Sequence, residues 1–139
     1  THVDVAATLT ELGRVLQERG AMKEAEDLYR ESLRINEKIL GHEHREVAAA
    51  LHQLGWLLQE RGALREAEEL IREALRIEEK QLGHEHGDVA ATLHQLGGVL
   101  EVRGALKEAE SLYRESLRIK EKLLGHGHIE VARTLHNLG

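Results

Sequence analysis

The chain has no cysteine, no proline and no phenylalanine, and carries a single methionine and a single tryptophan in 139 residues. Without cysteine there is no disulfide framework and no thiolate metal site, which fits a reducing compartment and makes the cytoplasm the expected location. Without phenylalanine the core must be built from Leu, Ala, Val and Ile. No apolar run approaches the roughly 18 to 20 residues needed to span a bilayer, and no signal peptide is visible, so no membrane partner is expected. Lys and Arg form no cluster and the formal net charge is −6, which argues against a nucleic-acid partner. With 32% charged and 41% apolar residues, the composition is that of a soluble, helix-rich protein rather than a disordered chain.

What the sequence does have is internal repetition. Gly20, Gly62 and Gly104 are spaced by 42, as are Gly41, Gly83 and Gly125, and as are Gly13, Gly55, Gly97 and Gly139. Val5, Val47, Val89 and Val131 keep step, and so do Leu9, Leu51, Leu93 and Leu135. The expected organisation is a single array over residues 1–139, with repeats at about 1–42, 43–84 and 85–126 and a partial fourth at 127–139.

Each unit reads as two helices. Val47, Leu51, Leu54 and Leu58 recur at spacings of four, three and four, one apolar helical face, so a first helix is expected over Arg45–Arg61. Gly62 can adopt the left-handed conformation that ends a helix. A second helix follows over Leu64–Leu82, with Ala67, Leu70, Ile71, Ala74, Leu75 and Ile77 as its apolar band. Glu26/Arg30, Glu68/Arg72 and Glu110/Arg114 stand one turn apart as pairs worth only about 0.2 to 0.5 kcal/mol each. They account for much of the charge as a solvated face. Gly55 and Ala67 share the side where the two helices meet, as do Gly13 with Ala25 and Gly97 with Ala109.

Leu51, Leu54, Gly55, Leu58, Ala67, Ile71 and Ala74 resemble in type and spacing the tetratricopeptide repeat, and Leu93, Leu96, Gly97, Leu100, Ala109, Tyr113 and Ser116 match it again. The usual unit has about 34 residues. The extra ones here lie in RINEKILGHEH, RIEEKQLGHEH and RIKEKLLGHGH, which is similar to the longer repeats of kinesin light chain and of nephrocystin-like proteins. The resemblance implies an all-α fold, an α-solenoid in which helix-turn-helix hairpins stack as a right-handed superhelix. Where such families often have proline, this chain has Val3, Arg45, Gly87 and Ile129. The acid of the pattern remains as Asp4, Glu46, Asp88 and Glu130, facing the positive end of each helix dipole.

The segments GHEHREVA, GHEHGDVA and GHGHIEVA place two histidines one residue apart. His44, His86 and His128 precede each first helix, where the resemblance also implies a histidine, and capping or packing explains them. His42, His84 and His126 create His-x-His pairs, but zinc or nickel needs two further ligands, and Glu43 and Glu85 offer no assured convergence. Successive loops stand on the order of 10 Å or more apart. No metal and no cofactor is therefore expected, and added zinc or nickel should bind weakly without raising helicity.

Function is expected on the other face of the first helices, which in tetratricopeptide arrays lines a concave groove. The register nominates His52, Gln53, Trp56 and Gln59, then His94 and Gln95, with His136 and Asn137 continuing the row; Ala49, Ala91, Gly98 and Glu101 share the face. Gln53, Gln95 and Asn137 can both donate to and accept from a peptide main chain. Trp56 is either a binding anchor or a filler between helices, and the sequence leaves both open. Thr10, Glu11 and Arg14 break the ladder in the first unit.

Carboxylates and histidines repeat with the period instead of converging at one place, and no phosphate loop or nucleophile motif is present, so no enzyme is expected. The leading reading is a protein-interaction scaffold that binds a peptide segment in its groove. The alternative is a structural array that self-associates head to tail or stiffens a longer parent protein, favoured by how little neighbouring units differ. Leu135 and Leu138 have no second helix to cover them, so residues 128–139 are expected to fray or to take part in such stacking.

Overall fold

The structure, a computed structural model, describes residues 1–124. Six helices follow one another: α1 (His2–Glu18), α2 (Met22–Leu40), α3 (Arg45–Glu60), α4 (Leu64–Leu82), α5 (Gly87–Val102) and α6 (Leu106–Leu124). No strand occurs among the described residues. The helix expected over Arg45–Arg61 ends one residue earlier, with Arg61 as its C-cap, and Leu64–Leu82 is as expected. Expectations resting on Gly125, His126, His128, Ile129, Glu130, Val131, Leu135, His136, Asn137, Leu138 and Gly139 lie outside the described residues.

The turn between paired helices is set by backbone chemistry. The Gly62 N–H donates to the Gln59 carbonyl at 3.0 Å and the Ala63 N–H to the Leu58 carbonyl at 2.8 Å, satisfying two end carbonyls that have no helical partner. This closure needs a left-handed residue, and Gly62 supplies φ +84°. Helix starts are set by side chains. His44 Nδ1 accepts from the Glu46 N–H and His86 Nδ1 from the Asp88 N–H, each at 3.0 Å. At α1 the cap is Thr1, whose hydroxyl accepts from the Asp4 N–H at 3.2 Å, while the Asp4 carboxylate reaches back to the Thr1 amino group.

The chain divides into two compact units, Thr1–Ile77 and Glu78–Gly139, the division falling within α4. In the first, α1 packs on α2 and α2 on α3. One core cluster joins Ala25, Tyr29, Leu54, Leu57, Leu58 and Ala67, and another joins Val47, Ala48, Leu51, Ala74 and Ile77; Leu33 and Leu70 pack against both. In the second unit α5 packs on α6, with Val89, Leu96, Val99, Leu100 and Ile119 buried. Ser32 and Ser116, buried on the second helices, donate to the carbonyls of Ala6 and Ala90 on the first helices, at 2.9 and 2.7 Å.

Close approach of paired helices depends on the small residues picked out above, with a difference in what they make room for. A Cβ on Gly55 would stand 2.9 Å from Ile71 Cγ1 and 3.6 Å from the Ala67 carbonyl. On Gly13 it would stand 2.7 Å from the Tyr29 ring, and on Gly97 2.9 Å from the Tyr113 ring. The nearest obstacle is thus the large side chain one turn beyond the alanine.

Candidate functional site

Within the first unit, α1, α2 and α3 enclose a cleft of about 580 Å³. Arg14, Gln17 and Glu18 line it from α1, Tyr29 from α2, and His52, Gln53, Trp56 and Glu60 from α3. Three of the residues nominated from the sequence are brought together here: His52, Gln53 and Trp56. Trp56 is 53% exposed, so its indole is available surface and does not fill a gap between helices. Gln53 also lines a smaller cavity of about 230 Å³, shared with Ala7, Asn36, Ala49 and Ala50.

The wall of the cleft is fixed by hydrogen bonds. The Tyr29 hydroxyl donates to Gln17 Oε1 at 2.8 Å, and Gln17 Nε2 donates to Glu60 at 2.9 Å. Burial pushes the Tyr29 phenol up, opposed by the Arg14 charge, so the hydroxyl stays a neutral donor. Arg14 bonds Glu11 at 2.9 Å and Glu18 at 3.1 Å; the Glu11 carboxylate first, then Glu18, raises the guanidinium further above its ordinary range. The result is an aromatic surface rimmed by oriented amide, imidazole and carboxylate groups, suited to holding a polar backbone and one apolar or cationic side chain.

Gln59 does not line this cleft. Its place corresponds to Gln17 and Glu101, the acceptors for Tyr29 and for Tyr113, the latter at 2.9 Å. In the middle repeat the tyrosine is replaced by Ile71, and Gln59 Oε1 is buried with no hydrogen-bond partner among the described residues. In the second unit His94 lies edge-on to Tyr113, ring centroids 5.1 Å apart at 63°, and Gln95 beside it is half-buried. His136 and Asn137 lie outside the described residues.

Sequence reasoning missed Gln17, Glu18, Tyr29 and Glu60. The signal was present: a tyrosine twelve residues after a Gln or Glu, at Gln17/Tyr29 and Glu101/Tyr113.

The histidine loops are fastened both to the helix before them and to the second helix of the next repeat. His42 Nδ1 meets Glu37 at 2.9 Å, and His84 is held at both ring nitrogens, Nδ1 to Glu79 and Nε2 to Glu115, each at 2.6 Å. Glu43 and Glu85, between the paired histidines, bond Arg76 at 3.1 Å and Arg118 at 2.9 Å. Among the described residues no group of three or more His, Cys, Asp or Glu is placed to hold a metal ion, and no helix is long and apolar enough to cross a membrane.

The fold agrees with comparisons to known proteins. The tetratricopeptide repeat family model matches residues 4–80, 64–122 and 88–139, and the chain belongs to that family, with an all-α solenoid fold. It is similar in structure to BtubC (BKLC) from P. vanneervenii, at 21% identity and TM-score 0.89, over 96% of this chain and 53% of that one. It is similar also to a putative kinesin light chain with nearly identical TPR-like repeats from Podosopora anserina, at 29% identity and TM-score 0.88, over 99% of this chain and 65% of that one. A third similar structure is the N-terminal domain of stress-induced protein-1 from C. elegans, at 12% identity and TM-score 0.73, over 99% and 97%. The repeats are of the kinesin-light-chain-like kind. The chain thus spans between half and two thirds of the first two of these proteins. No curated protein sequence matches.

Proposed function

We propose that this repeat scaffold binds a peptide segment of a protein partner in the cleft between α1, α2 and α3, with Trp56 as the anchor and Gln53 and His52 engaging the peptide main chain. One observation carries the reading: the one tryptophan of the chain is half exposed inside a cleft whose other walls are oriented hydrogen-bonding groups. An exposed indole in a depression is costly to leave in water and is the residue type that dominates binding energy at interfaces. Glu18 and Glu60 at the rim favour a peptide with a basic residue. The family, composed of interaction repeats that are generally not enzymes, supports a binding role over a chemical one.

Selection of displayed random peptides on the immobilised chain tests this. Enrichment of a common motif that is lost on Trp56→Ala, with helicity retained, supports the reading. A selection yielding no motif, or one indifferent to both Trp56→Ala and Gln53→Ala, contradicts it.

A further inference from the structure

The outer face of α1 is apolar and bare: Val5 is 51% exposed, Leu12 48% and Val15 43%. One period on, Val47, Leu54 and Leu57 of α3 are 1%, 0% and 0% exposed. On this face α3 packs on α2, with Met22, Tyr29 and Leu33 in the cluster that buries Leu54 and Leu57. Ion pairs accompany that contact: Glu26 with Arg61, and Arg30 with Glu66 at 2.8 Å.

The 42-residue period transfers both halves of this contact to other places in the chain. Arg19 and Glu24 stand where Arg61 and Glu66 do, and neither makes an ion pair among the described residues. On α6, Glu110 and Arg114 stand where Glu26 and Arg30 do; among the described residues they bond only each other, at 2.8 Å, and both are more than half exposed. Leu106, in the place of Met22, is 63% exposed.

We propose that the α1 face of one molecule docks on α6 of a second copy in the way that α3 docks on α2, with Arg19 meeting Glu110 and Glu24 meeting Arg114 of the second copy. Two different surfaces meet, so the contact is heterologous and can add successive copies. The charge order is complementary: Arg19 at the end of α1 and Glu24 on α2 carry the charges that Glu110 and Arg114 on α6 require.

The test is sedimentation velocity of the full chain over a concentration series reaching high micromolar, with charge-reversed variants. Residues 127–139 carry the same apolar spacing as α1, so the full chain is the fair subject, any cover they give α6 competing with association. The wild type should form concentration-dependent dimers and larger species. Arg19→Glu alone and Glu110→Arg alone should each weaken association about three- to tenfold, and an equal mixture of the two should recover it. Leu12→Lys should weaken it about tenfold or more, and circular dichroism verifies that each variant is folded. A chain that stays monomeric throughout overturns the proposal. So does association that Glu110→Arg leaves unchanged, the result expected of an α1-to-α1 contact, or a mixture that fails to recover.

Discussion

Ile71 is the one member of its repeated position without a hydroxyl, and the consequence is local and measurable. Tyr29 and Tyr113 donate to Gln17 and Glu101, whereas Gln59 Oε1 is buried without a partner among the described residues. An unsatisfied buried acceptor costs about 1 to 3 kcal/mol, and a made hydrogen bond returns about 0.5 to 1.5. Ile71→Tyr should therefore raise unfolding stability by about 0.5 to 1.5 kcal/mol in urea denaturation. A loss of stability would show that the space beside Gly55 is shaped for isoleucine alone. The converse holds at Gly97, where a Cβ would meet the Tyr113 ring at 2.9 Å; Gly97→Ala should cost about 1 to 3 kcal/mol, read from the same denaturation midpoint.

At the scale of the element, the histidine loops divide into two roles. His44 and His86 are N-caps, and replacing an N-cap by alanine costs about 0.5 to 2 kcal/mol. His86→Ala should fall in that range and His86→Asn should recover most of it, by thermal unfolding. His84 instead fastens the loop to α4 and α6, and the Glu115 carboxylate first, then Glu79, raises its pKa above the ordinary imidazole value of 6.5. A raised pKa means that the contribution is fully present below that ordinary value and is lost as pH climbs through the folded one. The Arg118 hydrogen bond, with a smaller one from His84, pulls Glu115 down to about 2. Its contribution is therefore present above the ordinary carboxylate value of 4.5 and fades as pH falls toward 2. Arg118 bonds both Glu115 and Glu85, and Lys122 acts on Glu85 as well, so acid loosens the whole loop. Stability measured against pH should decline as pH rises from the ordinary imidazole value of 6.5 through the raised one, and His84→Gln should remove that decline; an unchanged profile would show that the His84 contacts carry no net energy.

The helices themselves were legible because a strict period and spacings of three and four leave little choice of secondary structure. The caps were legible in part: the position of His44 and His86 pointed to capping. What was not legible depends on contacts across helices. The Tyr29–Gln17–Glu60 chain joins residues 12 and 43 positions apart, and the half-exposure of Trp56 depends on the depth of a cleft that helical spacing alone does not give.

On the scale of the whole molecule, the repeats make nearly equivalent helices while the cleft of the first unit is individual, because Arg14, Tyr29 and Trp56 occur together in it alone among the described residues. Trp56 is the only tryptophan, so its fluorescence reports directly on that cleft. The most direct test of a peptide-binding role is a titration of the chain with a peptide from the selection, followed by Trp56 emission and by calorimetry. The account predicts a saturable shift of Trp56 emission to shorter wavelength as the indole leaves water, and a calorimetric affinity about tenfold or more weaker in Trp56→Ala, a loss of at least about 1.4 kcal/mol. A peptide that binds with unaltered Trp56 emission and equal affinity for the variant would contradict it.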